Sequence, residues 1–106
     1  MYLPPVRVAV EVPATELAEP LVRWTVYPNP FRDRTTLQFS VGRSGPVQVV
    51  LYDVLGRRVE RLYEGVPSAG PLHSLRIDGK RLPAGVYFVR LLGEGIHATK
   101  TILLLR

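Results

Sequence analysis

"PVQVVLYDVLGRRVERLY", residues 46–63, holds two runs of alternating side chains joined through a glycine. In the first run Val47, Val49 and Leu51 fall on one face, and Val50 and Tyr52 fall on the other. Side chains alternate between faces along a strand, whereas a helix face needs apolar residues three and four apart. The run after Gly56 is more polar and carries Arg57, Arg58 and Arg61. It reads as a second strand with a solvated face. Gly56 is expected to take positive φ at a hairpin corner, since only glycine does so without steric cost. Asp53 is expected to accept backbone N–H bonds there, as short carboxylate side chains do in turns.

The same period of two extends in both directions. "LVRWTVY" (21–27), "TTLQFSV" (35–41), "LHSLRID" (72–78), "VYFVRLL" (86–92) and "IHATKTILLL" (96–105) all read as strands. Leu37, Phe39 and Val41 share one face of the second of these, and the third carries Leu72, Leu75 and Ile77. The run at 86–92 is the most apolar and is expected to lie inside a sheet. "GRSG" (42–45), "GVPSAG" (65–70), "GKRLPAG" (79–85) and "GEG" (93–95) supply the turns, the last as a tight hairpin. About seven short strands at this spacing, with no helical period, predict an all-β, immunoglobulin-like antiparallel β-sandwich over residues 21–106. Trp24 is expected in its core. Residues 1–20 read as a linker or lead-in because "PATELAEP" is rich in Pro, Ala and Glu, although "VRVAVEV" (6–12) alternates like a strand.

"YPNPF" (27–31) fits neither element. Each proline lacks an N–H and fixes φ, and each pushes the residue before it toward extended backbone. The segment therefore predicts a rigid corner that leaves the first strand and seats Phe31 or Tyr27 against the core. In "LPAGVYFVRL" (82–91), Pro83 stiffens the loop, Gly85 permits a tight entry at positive φ, and Tyr87 begins the strand.

Composition narrows the function. A chain of 106 residues, 46% hydrophobic and 22% charged, is one soluble-type domain. No apolar run approaches the roughly 18 to 20 residues of a membrane span, so no membrane insertion is expected. "MYLPPVRVAVEVP" (1–13) lacks a basic start and breaks its apolar pattern with prolines, so it does not read as a secretory signal. Without cysteine there is neither a disulfide nor a thiolate metal site. The net charge of +5 is spread over scattered arginines with no aromatic RNA-binding signature, so no nucleic-acid partner is expected. His73 and His97 have no partner at metal-ligand spacing, and no metal or cofactor is expected. Asp33, Asp53 and Asp78 each flank a turn, which accounts for them without acid–base chemistry. Ser40, Ser44, Ser68 and Ser74 lack a nucleophile context. The residues predict a domain that is not an enzyme.

"YPNPF…TTLQFSV", "VVLYDVLGRRVERL", "LPAGVYFVRL" and "ATKTILLLR" follow one another in order over about residues 26–106. Together they resemble the type A C-terminal sorting domain of the type IX secretion system. The resemblance implies a domain attached behind a larger passenger in Bacteroidetes-type bacteria. It implies transport through the outer membrane by the type IX machinery to the cell surface or medium. It also implies an outer-membrane sortase as partner, with processing within or upstream of residues 1–20. Carried over by residue, the sorting signal is Pro28, Asn29, Pro30 and Phe31; Asp53 and Gly56; Pro83, Gly85 and Tyr87; and Lys100, read here as a solvated side chain. The chain departs from the family in having Arg32-Asp33-Arg34 where Asn-Pro-Ser is common. It also has Thr101 after Lys100, where a second basic residue is common.

Two other readings share the fold. A carbohydrate-binding or adhesion module would need exposed, coplanar aromatics, for which Tyr2, Tyr27, Tyr52, Tyr63, Tyr87 and Trp24 are the candidates. An assembly domain like the immunoglobulin-like part of flagellar hook-capping proteins shares the "YDxxGR" and "GxY" patterns.

Overall fold

A computed structural model describes residues 22–106. The lead-in at 1–20, the strand read at 6–12 and the first residue of the run at 21–27 lie outside the described residues. Seven strands follow: β1 (Val22–Tyr27), β2 (Arg34–Val41), β3 (Val47–Tyr52), β4 (Arg58–Gly65), β5 (His73–Asp78), β6 (Gly85–Gly93) and β7 (Ile96–Leu104). One sheet has the order β1-β2-β5 and the other β4-β3-β6-β7, with antiparallel pairing throughout. This is the expected immunoglobulin-like sandwich, and its seven strands divide three on four.

The alternation in the sequence becomes the core. Leu37, Phe39 and Val41 face inward from β2, opposite Val47, Val49 and Leu51 of β3 and Tyr87, Val89 and Leu91 of β6. Ile77, Ile102 and Leu104 complete the same cluster. Each such side chain contributes roughly 1.5 to 3 kcal/mol when removed from water. The apolar run at 86–92 lies in β6, flanked by β3 and β7.

Leu72 and Trp24 differ from the sequence reading, and of Phe31 and Tyr27, either of which the corner is expected to seat against the core, one does so. Leu72 precedes β5 and is 64% exposed. Counting back by twos from buried Ile77 reaches Leu75 and His73, so Leu72 belongs to the outward set. Tyr27 is 80% exposed, and Phe31 takes the core place beside the proline corner. Trp24 packs against the core but is only half-buried, because β1 is an edge strand. The "GRSG" turn carries the chain from β2 in one sheet to β3 in the other.

The two sheets meet along two sides. On one, the Lys100 Nζ of β7 lies 5.4 Å from the Trp24 ring centroid of β1. On the other, the Phe39 ring contacts Tyr63 of β4 and His73 of β5, with centroids 5.5 and 5.2 Å apart. Both β1 and β7 are sheet edges, and an edge strand offers unpaired backbone groups that native folds cover or blunt.

Candidate functional site

The proline corner covers part of the β7 edge. Asn29 Nδ2 donates to the Thr101 carbonyl at 3.0 Å, and Asn29 Oδ1 accepts from the Leu103 N–H at 3.1 Å. The Phe31 N–H then donates to the Leu103 carbonyl at 2.9 Å, and the Phe31 carbonyl accepts from the Leu105 N–H at 2.8 Å. A carboxamide followed by one residue of backbone thus satisfies four successive edge groups of the C-terminal strand. Neither proline is asked for an N–H. The Thr35 hydroxyl, itself buried, donates to the Pro28 carbonyl at 2.6 Å and fixes the corner from the other side. The Tyr27–Pro28 and Asn29–Pro30 peptide bonds are both cis.

The turn between β3 and β4 is held by Asp53. Its Oδ1 accepts from the N–H groups of Leu55 and Arg57 at 2.9 and 3.0 Å, and its Oδ2 accepts from Arg57 Nε at 2.9 Å. The Arg57 N–H does most to hold this carboxyl below its ordinary value. The Arg57 side chain and the Leu55 N–H add to the effect, and partial desolvation opposes it. Gly56 has a φ of +81°, as the turn reading requires.

The loop from β5 to β6 ends on Tyr87, whose hydroxyl donates to the Pro83 carbonyl at 2.5 Å. A tyrosine near the start of this strand, bonded to backbone a few residues upstream, is the tyrosine corner of immunoglobulin-like sandwiches. Burial pushes the Tyr87 phenol up, against the opposing effect of nearby Arg106. The turn and the loop face each other across a groove of about 450 Å³, lined by residues that include Asp53, Val54, Leu55, Leu82, Gly85 and Tyr87. The corner lies at the same end of the sandwich. Phe31 bridges to Leu104, Leu104 stands opposite Gly85, and a methyl added at Gly79 would touch both Phe31 and Leu104.

A family model described as a secretion system C-terminal sorting domain matches residues 25–104. The chain belongs to this family. Its function is that of a C-terminal sorting domain of a secretion system, of the type IX kind, and the family is non-catalytic. A sorting domain works with secretion machinery and marks a protein for export. No protein of curated function matches the sequence.

Nine of the ten sequence-predicted site residues of the sorting domain fall at one end of the sandwich: Pro28, Asn29, Pro30, Phe31, Asp53, Gly56, Pro83, Gly85 and Tyr87. Lys100 stands apart, opposite Val89 along β7, with its ammonium over Trp24. It is half-buried and closes the gap between two sheet edges, which corrects its reading as a solvated lysine. Sequence reasoning did not single out Thr35, Gly79 or Arg106. Arg106 donates to the Gly79 carbonyl at 2.9 Å and also to the Leu82 carbonyl, tying the chain end to the loop. A buried threonine on an otherwise apolar face was the one available signal for Thr35.

The other candidates have structural roles. Asp78 Oδ1 accepts from the Lys80 N–H at 2.9 Å, a turn contact like that of Asp53. The His73 ring lies 3.1 Å from the Ser68 carbonyl, and His97 contacts Arg90. Among the described residues no group of three or more His, Cys, Asp or Glu side chains could hold a metal ion. Of the described aromatics proposed for a sugar platform, Tyr27 is strongly exposed, Trp24, Tyr52 and Tyr63 are half-buried, and Tyr87 is buried.

Gly85 has a φ of +147°, and an added Cβ would meet nothing within 4 Å. The cost of a side chain here is therefore backbone strain rather than a clash. Gly85→Val is expected to lose about 1 to 3 kcal/mol. Lys100→Ala removes a cation–π contact and the cover of an apolar stem, and should lose about 0.5 to 1 kcal/mol. Parallel thermal melts of the two variants check the order. Equal losses would remove the strain argument.

Proposed function

We propose that this sorting domain directs a passenger protein across the outer membrane through the type IX machinery, to the cell surface or medium. Its reading end is the one built by the corner, the turn and the tyrosine loop. Pro28, Asn29, Pro30, Phe31, Asp53, Gly56, Pro83, Gly85 and Tyr87 form the signal, and Lys100 supports it from the side of the sandwich. The passenger joins through residues 1–20, and an outer-membrane sortase acts there or upstream. The observation that carries this reading is the convergence of separate sequence motifs on one end of an otherwise plain sandwich. Motifs needed only for strand pairing would be spread along both ends.

The test fuses residues 1–106 behind a reporter with an export signal, in a host that carries a type IX system. The intact fusion should reach the surface or medium. A fusion that ends at residue 82 should stay in the periplasm. Export of the shortened fusion would overturn the proposal. Normal export with Lys100→Ala would take Lys100 out of the signal and leave the rest.

A further inference from the structure

The described residues include seven large hydrophobic side chains that are exposed, and Val54, Leu55, Val59 and Val86 among them line the groove between the turn and the tyrosine loop. Val54 and Leu55 are 62% and 72% exposed, far more than turn packing requires. Scattered exposed apolar residues are ordinary, but four around one concavity mark an interaction surface. Leu82, Pro83 and Ala84 add apolar wall on the loop side, and the groove's volume of about 450 Å³ would accept a few apolar side chains.

Charge sets the rim. The one carboxylate in the lining, Asp53, is already bonded to two backbone N–H groups and to Arg57. Arg58 falls within the first lining segment, opposite Tyr52 of β3, Arg81 directly precedes the second, and Arg106 is held against Leu82. Two acidic residues stand near them, Glu60 two residues beyond Arg58 and Asp78 three residues before Arg81, the latter bonded to the Lys80 N–H. A larger concavity at the opposite end of the sandwich, about 590 Å³, carries Glu94 and a Glu64 paired with Arg61 at 3.0 Å, and exposes only Val66 strongly. The two ends therefore differ above all in apolar exposure.

We infer that the groove between residues 53–59 and 82–87 docks an extended segment of a partner protein that presents apolar side chains flanked by carboxylates. Apolar anchors at the centre and complementary charge at the rim are how such interfaces combine affinity with orientation. A concave groove suits side chains inserted from a peptide better than the flat surface of a bilayer. The inference rests on the sorting reading, since it names the chemistry of what reads that end.

The probe is a fluorescein-labelled peptide of alternating aspartate and leucine, with a lysine–leucine peptide as its opposite, measured by anisotropy against the full chain. The acidic peptide should bind, more weakly at high salt, and the basic peptide should bind about tenfold less tightly or not at all. Leu55→Asp and Val86→Asp should each reduce binding about tenfold with the melting temperature little changed. Amide shift changes on titration should centre on residues 53–59 and 82–87. Equal binding of both peptides would overturn the inference. So would shift changes at the Glu64–Glu94 end, or a Leu55-dependent signal that proves to be self-association or binding to anionic phospholipid vesicles. In the reporter assay, normal export with Leu55→Asp would sink the groove inference alone, whereas export of the fusion ending at residue 82 would sink the sorting reading beneath it.

Discussion

Phe31→Ala should lower the stability of the isolated domain by about 3 to 5 kcal/mol. For a domain of this size that is a fall in melting temperature on the order of 20 °C. The ring is 2% exposed and belongs to the core cluster, so its loss leaves a cavity at the end of the sandwich. The same residue's N–H and carbonyl bond to Leu103 and Leu105, and a cavity beside them loosens that pairing as well. Two companion variants separate the contributions. Phe31→Leu keeps most of the apolar volume and should cost about 1.5 kcal/mol or less. Asn29→Ala keeps the ring but removes two hydrogen bonds to β7, and should cost on the order of 1 to 2 kcal/mol. Denaturant melts of the three proteins give the order directly. A Phe31→Ala loss no larger than that of Asn29→Ala would mean that the corner is held by its edge bonds and that the ring is incidental.

The contrast between Phe31 and Tyr27 shows what the sequence could and could not carry. Two aromatics flank the same prolines, and local chemistry treats them alike. The choice is made by the register of β1 on β2, where Tyr27 stands opposite Thr36 on the solvent face. Strand existence was legible across the described residues, because period-two alternation is a property of a single segment. Turn chemistry was equally local. The Asp53 carboxylate bonds N–H groups two and four residues on, and Gly56 has the positive φ that its place in the turn demands. The partition into sheets of three and four was not legible, since it depends on which distant runs pair. Asn29 makes the point most directly. Its carboxamide bonds Thr101, 72 residues away, and no local pattern announces that an asparagine between prolines will finish a sheet edge. Lys100 was misread as solvated for a related reason: Trp24 reaches it from the other sheet. Leu72 was read as the first residue of a strand that begins at His73, one residue later.

Gly79→Ala should destabilise the domain by about 1 to 3 kcal/mol, although alanine is ordinarily the gentlest replacement for glycine. Gly79 is buried, and its φ lies outside the left-handed range, so the backbone itself would accept a side chain. The space would not. A Cβ would stand 2.9 Å from both Leu104 Cδ1 and Phe31 Cε2, and 3.3 Å from the Asp33 carbonyl. Backing away is resisted on both sides of the residue. Its N–H donates to Asp33 at 2.8 Å, while its carbonyl accepts from Leu82 at 3.1 Å and from Arg106 at 2.9 Å. Relief must come from the two core side chains, which are themselves packed. The cause is tested by making room. Leu104→Ala alone should cost about 2 to 5 kcal/mol as a cavity. Combined with Gly79→Ala, the added methyl would partly fill that cavity, and the double variant should be more stable than the sum of the two losses by about 0.5 to 3 kcal/mol. Losses that simply add would show that Gly79 acts through something other than its contact with Leu104. A favourable coupling would establish that the β5–β6 loop, the proline corner and the C-terminal strand are one packed unit, so that the position of the groove wall at Leu82 and Pro83 is set by the core beneath it.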